Sequence, residues 1–180
     1  MVGAWNSAER TGRKLISLRV LVSWIALSFL SAATIGIAHA GDLARSNAAY
    51  ARRDYVRAAK ALSHAARRGN REAQGRLGFM YENGLGVPQA YDAAASLYID
   101  GARQGDPFAQ SRLGLMYDKG HGVPQDFVLA YKWLNLAAGR ASRRERDFFL
   151  RLRDAVSSKM TPDQILEGQR MALDWRPGEW

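Results

Sequence analysis

Leu77-Gly78-Phe79-Met80-Tyr81-Glu82-Asn83-Gly84-Leu85-Gly86-Val87-Pro88-Gln89 returns 36 positions later as Leu113-Gly114-Leu115-Met116-Tyr117-Asp118-Lys119-Gly120-His121-Gly122-Val123-Pro124-Gln125, with nine of thirteen positions identical. Upstream, Ala73-Gln74 matches Ala109-Gln110. A weaker copy keeps the same phase, with Tyr55, Tyr91 and Phe127 corresponding, as do Ala58, Ala94 and Ala130. Self-similarity at a fixed period of this length means a repeat array, in which each unit buries its apolar face against its neighbours.

Each period reads as two helices. From Arg71 to Asn83 the residues Ala73, Leu77, Met80 and Tyr81 recur at helical spacing, and Gly84 can take the left-handed conformation that ends a helix. Val87-Pro88 forces an extended step. Tyr91 to Gln104 then turns Tyr91, Ala94, Ala95, Tyr98 and Ala102 to one side, and Gly105 ends it. Asp106-Pro107 reads as an N-cap with proline in the first turn, where a missing N–H costs nothing. Gly78, Gly114, Ala94 and Ala130 are small enough to let two helix backbones approach closely. Outside the strong copies, Asp54 caps a helix over Tyr55 to Arg68, while Ser142 to Lys159 and Thr161 to Trp175 also read as helices. Thr161-Pro162-Asp163-Gln164 fits a capping box, since Thr161 and Gln164 stand three apart.

Further out, the ends differ from the array. Residues 1–19 carry Arg10, Arg13, Lys14 and Arg19 against Glu9, and an uncharged stretch follows from Val20 to Ala38 and closes on Ala38-His39-Ala40. A basic segment, an apolar segment and small residues at the two positions a signal peptidase reads predict a secretory signal over 1–40, cleaved after Ala40. The competing reading is an inner-membrane anchor over 20–38, whose 19 residues approach the ~20 that span a bilayer. Ser23, Ser28, Ser31, Thr34 and Gly36 dilute it and favour cleavage. Either way the remainder is exported, to the periplasm or beyond.

The whole chain of 180 residues holds 26 Lys plus Arg against 17 Asp plus Glu, and from Gly41 onward the balance is 22 to 16. At 47% hydrophobic and 24% charged it can bury a core. The absence of cysteine excludes disulfides, thiol nucleophiles and thiolate zinc sites, and three histidines leave few metal ligands or general bases.

The combination of Ala-Gln, Leu-Gly-x-Met-Tyr, Gly-x-Gly-Val-Pro-Gln and the aromatic helix Lys132-Trp133-Leu134-Asn135-Leu136-Ala137-Ala138 resembles the Sel-one-like repeat (SLR) class, relatives of the tetratricopeptide repeats. The resemblance is strongest over 71–138, as two repeats. It extends to a leading degenerate helix pair at 41–70 and to a degenerate C-terminal capping pair at 139–180, where Leu-Gly-x-Met-Tyr is absent. It implies an all-α fold, a right-handed superhelix (solenoid) of about four antiparallel helix pairs with a concave face. It also implies a non-enzymatic adaptor or regulator that holds a partner protein, often in the bacterial envelope.

Searching the residues for chemistry returns little. His-Glu-x-x-His, Gly-x-Ser-x-Gly and the phosphate-loop pattern are all missing, so no catalytic residue, cofactor site or metal site is assigned. His64 and His121 stand apart, and Leu85 holds the place of His121 in the other copy. Gly84-x-Gly86 and Gly120-x-Gly122 follow helices, not strands, and do not read as nucleotide loops. Glu82 and Asp118 are equivalent acids expected to make loop or helix-end hydrogen bonds.

Helix geometry suggests where a partner binds. If Ala73, Leu77 and Met80 pack inward, Glu72, Arg76 and Phe79 form a separate stripe, with Phe108, Arg112 and Leu115 its equivalent one repeat on. Arg76 and Arg112 would then stack and suit an extended, partly acidic peptide, unless Phe79 and Leu115 are core and both arginines merely solvated. Arg140, Arg143, Arg144, Arg146, Arg151 and Arg153 crowd the C-terminal part. For an exported chain nucleic acid is not the expected partner. Anionic envelope lipid or polymer is the alternative to a protein, with a hydrolase of envelope polymer behind both. Phe148-Phe149-Leu150 reads as an anchor of the last helices to the array.

Overall fold

Each 36-residue period folds as a helix, a loop and a second helix. The computed structural model describes residues 41–178; the expected leader, the anchor alternative and the cleavage after Ala40 lie outside the described residues. Helix α1 runs over residues 41–51 of the described chain. It is followed by α2 (Tyr55–Arg67), α3 (Arg71–Asn83), α4 (Tyr91–Arg103), α5 (Pro107–Lys119), α6 (Phe127–Arg140), α7 (Arg143–Ser157) and α8 (Pro162–Asp174). No strand occurs among the described residues. Helix ends fall within one or two residues of those expected, the capping residues lying just outside the hydrogen-bonded turns.

The caps repeat with the period. Asn70 accepts the Ala73 N–H at 2.8 Å and Asp106 accepts the Ala109 N–H at 2.7 Å, while Ser142 occupies the same place before α7. Gly84 and Gly120 end α3 and α5 at φ of 65° and 69°, each donating its N–H to a methionine carbonyl, Met80 or Met116. Thr161 and Gln164 complete the capping box of α8 in both directions.

Successive helices from α2 to α6 pack in chain order, and α5 packs directly on α3 as well. No such packing joins α4 to α6, so the first helices of the repeats lie closer together and line the inner side of the curve. The small residues do what close packing requires. A Cβ at Gly78 would lie 2.8 Å from the Tyr98 ring, and one at Gly114 would lie 2.8 Å from Leu134 Cγ and 3.0 Å from the Ala130 carbonyl. Tyr98, Leu62, Met80, Leu113 and Leu134 fill the interior, each such side chain contributing about 1.5–3 kcal/mol of apolar burial.

At the C-terminal end the two helices of the expected capping pair share α6 as their main support. Both α7 and α8 pack on α6, and α8 does so far more than it packs on α7. The reason is the composition of α6, whose Ala130, Tyr131, Trp133, Leu134, Leu136, Ala137 and Ala138 are all buried, leaving apolar surface on more than one side. Phe149 meets Ala137 and Ala138, and Val156 meets Ala130 and Leu134. On α8, Gly168 fits over Tyr131, and Trp175 beyond its end stacks edge-on against Trp133 with ring centroids 6.1 Å apart. The chain then reaches back to α4 in the first of the two strong repeats, where the Gly178 N–H donates to the Arg103 carbonyl at 2.9 Å. No described helix is long and apolar enough to cross a membrane.

Candidate partner-binding groove

Side chains from α1, α3 and α5 enclose an open pocket of about 300 Å³ on the inner side. Leu62 of α2 and Met80 form apolar lining, Tyr50 and Phe108 stand 42% and 39% exposed at its edges, and Arg76 with Asn47 supplies polar atoms. Phe79 and Phe108 meet edge-on at 6.1 Å, so the aromatic wall is continuous from one repeat to the next. Beyond Arg76 and Phe108 the depression continues as a second hollow of about 410 Å³, lined by Glu72, Asp106 and Pro107 and by Glu145 and Phe149 of α7.

Four of the six side chains expected to contact a partner therefore share this groove: Glu72, Arg76, Phe79 and Phe108. Leu115 is half-buried on α5 in the place Phe79 holds on α3. Arg112 is committed elsewhere. Its guanidinium donates from Nη2 to Glu82 Oε1 and from Nε to Glu82 Oε2 at 3.0 Å, while the Tyr98 hydroxyl donates to that same Oε2 at 2.7 Å. Glu82 and Arg112 side chains are only 18% and 24% exposed, and Arg112 lies over the Phe79 ring at 5.5 Å. Burial, with the Glu82 carboxylate alongside, pushes the Tyr98 phenol far above its ordinary pKa, so it stays a donor. The stacked pair of free arginines does not form: Arg76 instead bonds Glu72 at 2.7 Å and Asn47 across to α1.

The equivalent acids also behave differently from expectation. Their backbone carbonyls take the loop hydrogen bonds, from Gln89 at 2.8 Å and Gln125 at 2.7 Å. Their side chains instead make ion pairs between helices or repeats, Glu82 with Arg112 and Asp118 with Lys159 at 2.7 Å. The Gly-x-Gly loops are packing devices. A Cβ on Gly86 would lie 2.3 Å from the Tyr55 carbonyl carbon and one on Gly122 would lie 2.4 Å from the Tyr91 carbonyl oxygen, so each loop seats on the start of the preceding repeat's second helix. His121 stacks on Tyr91 with ring centroids 4.8 Å apart, and His64 is exposed. In the C-terminal run Phe149 is buried while Phe148 is 50% exposed. Arg140 stacks over Trp175 at 4.4 Å, and Arg153 pairs with Asp154 and lies over Tyr131. Arg143, Arg144, Arg146 and Arg151 are exposed.

Sequence reasoning missed the α1 wall, Ser46, Asn47 and Tyr50, because the repeat signature does not reach α1. It also missed Asp106 and Glu145 as groove residues: Asp106 was read only as the N-cap of α5, and Glu145 stands in the first turn of α7, outside the strong repeats.

Stacked helix pairs with an inner groove define a helical-repeat solenoid. The Sel1 repeat family matches residues 71–106 and 107–141, each match beginning just after a capping residue or on the proline behind it. Among solved structures, a protective antigen present in uropathogenic Escherichia coli strains, displaying an SLR fold, aligns with a TM-score of 0.67 at 28% identity, covering 74% of this chain and 29% of that one. A Sel1 repeat protein from Oxalobacter formigenes aligns with a TM-score of 0.57 at 26% identity, covering 73% of this chain and 54% of that one. The chain thus spans under a third of the first relative's length and about half of the second's. No protein of curated function matches the sequence. The chain therefore carries two Sel1 repeats, over 71–106 and 107–141, within a tetratricopeptide-like helical fold similar to those SLR structures, a fold typical of protein-interaction adaptors and generally not of catalysts.

Proposed function

We propose that this chain is an exported, non-enzymatic adaptor or regulator that holds a protein partner in the groove between α1, α3 and α5. The observation that carries the reading is the groove itself: an apolar pocket with half-exposed aromatic edges and a polar corner, on the inner side of the helical array. Concave sites of this size, mostly apolar with few polar groups, are the usual form of a specific binding site. Export rests on the basic and apolar segments of residues 1–38 and on Ala38-His39-Ala40. An envelope polymer hydrolase is disfavoured because Glu82 is committed to Arg112 and Tyr98.

A second reading has its own observation. Arg143, Arg144, Arg146 and Arg151 are exposed on α7 beside half-exposed Phe148, which suits peripheral binding to anionic envelope lipid or polymer. One experiment separates the two. The full chain, tagged at its C-terminus and expressed in the source organism, is recovered from envelope fractions at low and high salt, and its N-terminal residue is determined. A stoichiometric protein that survives high salt and is lost with Phe108→Ala supports the groove adaptor. Recovery of anionic lipid or polymer alone, released by salt, moves the function to α7. An N-terminus at Gly41 supports cleavage, whereas an intact start in the membrane fraction supports the anchor.

A further inference from the structure

Resting on the groove reading above, we infer that the occupant is an extended partner segment whose apolar anchor fills the α1–α3–α5 pocket and whose adjacent residue is basic, not acidic. The sequence alone favours the opposite charge, because Arg76 and Arg112 align one period apart. The structure leaves neither as an unpaired cation, although Arg76 still lines the groove. Arg112 is closed on Glu82 beneath Phe79, and Arg76 is held between Glu72 and Asn47.

What remains along the groove is acidic. The hollow that continues from the apolar pocket is lined by three carboxylates, Glu72, Asp106 and Glu145, against Arg76 alone, in a chain that carries a net positive charge. Asp106 is the deepest, 8% exposed, and among the described residues its carboxylate receives only the Ala109 N–H. Burial pushes its pKa upward despite that bond and despite Arg71, which marks a buried carboxylate short of compensating partners. An ammonium or guanidinium reaching this point supplies one. Pro107, Phe108 and Phe149 give an apolar wall along which the stem of a lysine or arginine can lie. An acidic segment would instead set like charges against three carboxylates whose neighbouring cations are already engaged, Arg71 with the Gln104 carbonyl and Arg76 with Glu72 and Asn47.

The test is selection of short random peptides on the immobilised full-length protein at low salt, followed by direct binding of the enriched sequences. The expected result is enrichment of Lys or Arg over Asp and Glu next to an aromatic or aliphatic anchor, with binding weakened on the order of tenfold by Glu145→Lys and by Asp106→Asn together. Glu145 is exposed and Asn already caps the preceding repeat, so both variants should keep the fold, which circular dichroism checks. Enrichment of acidic residues, or enrichment without charge preference, overturns the inference. A selection that yields nothing overturns it too. The envelope capture then judges the adaptor reading separately: a partner lost with Phe108→Ala preserves it, and no partner at all ends both.

Discussion

Arg76 and Arg112 occupy equivalent positions one period apart, yet only Arg112 closes on a carboxylate of the preceding repeat, while Arg76 pairs with the more exposed Glu72 of its own helix. One repeat earlier the places of Glu82 and Tyr98 are taken by Ser46 and Leu62, so Arg76 is left at the rim; one repeat later the place of Arg112 is Phe148, so Asp118 turns to Lys159. Removing one partner from a half-buried pair strands the other, whereas an exposed pair contributes little. We expect Glu82→Gln to cost about 2 kcal/mol and Arg76→Ala under about 0.5 kcal/mol, read from urea unfolding midpoints. Equal losses would place the two arginines in the same role. Asp106 yields a pH effect at the same scale. Its folded pKa is raised, chiefly by burial, above the ordinary 3.8, so the folded state binds its proton more tightly than the unfolded chain. Its contribution therefore falls as pH rises from 3.8 through the folded value, and is constant outside that window. Asp106→Asn keeps an acceptor for the Ala109 N–H, as Asn70 does for Ala73, and should abolish that component in denaturation curves measured across the window.

Among the elements, the loop between the two helices of each repeat carries the stitching. Gly120 and Gly122 both have positive φ, 69° and 66°, but their surroundings differ. A Cβ on Gly120 meets Gln125 at 3.4 Å, which is tolerable, while one on Gly122 would strike the Tyr91 backbone at 2.4 Å. Replacement by alanine at Gly120 should cost about 1 kcal/mol from backbone strain alone. At Gly122 the loop must also lift off the preceding repeat, and the cost should exceed about 2 kcal/mol. Chemical denaturation of the two variants decides the point: equal losses would show that conformation, not contact, makes these glycines necessary. The spacing of the loop was legible in the sequence because the motif recurs. Its seat on the neighbouring repeat was not, because no residue type marks a backbone-to-backbone contact.

At the scale of the whole described chain, the segment after α8 folds back onto the last strong repeats. Trp175 is buried against Trp133, under the Arg140 guanidinium and near Gly105, so it joins the C-terminus to α4 and α6. Trp175→Ala should cost about 3–5 kcal/mol and lower the melting temperature, followed by circular dichroism. A change near zero would mean that the array is closed by α7 alone. By itself the sequence determined the period, the helices and their caps, since a repeated pattern of apolar residues, glycines and cap residues is local information that each unit states again. It also marked Glu72, Arg76 and Phe79 as one stripe and Phe108, Arg112 and Leu115 as its equivalent one repeat on, because residues three and four apart share a helix face, and four of these six line the groove. Only the tertiary structure decided which arginine stays at the groove, what charge the groove presents, and where α8 and Trp175 dock. Those outcomes depend on pairs 30 to 38 residues apart, such as Glu82 with Arg112 and Tyr131 with Gln169, whose meeting is set by the stacking of whole helices and by the apolar surface that α6 leaves uncovered.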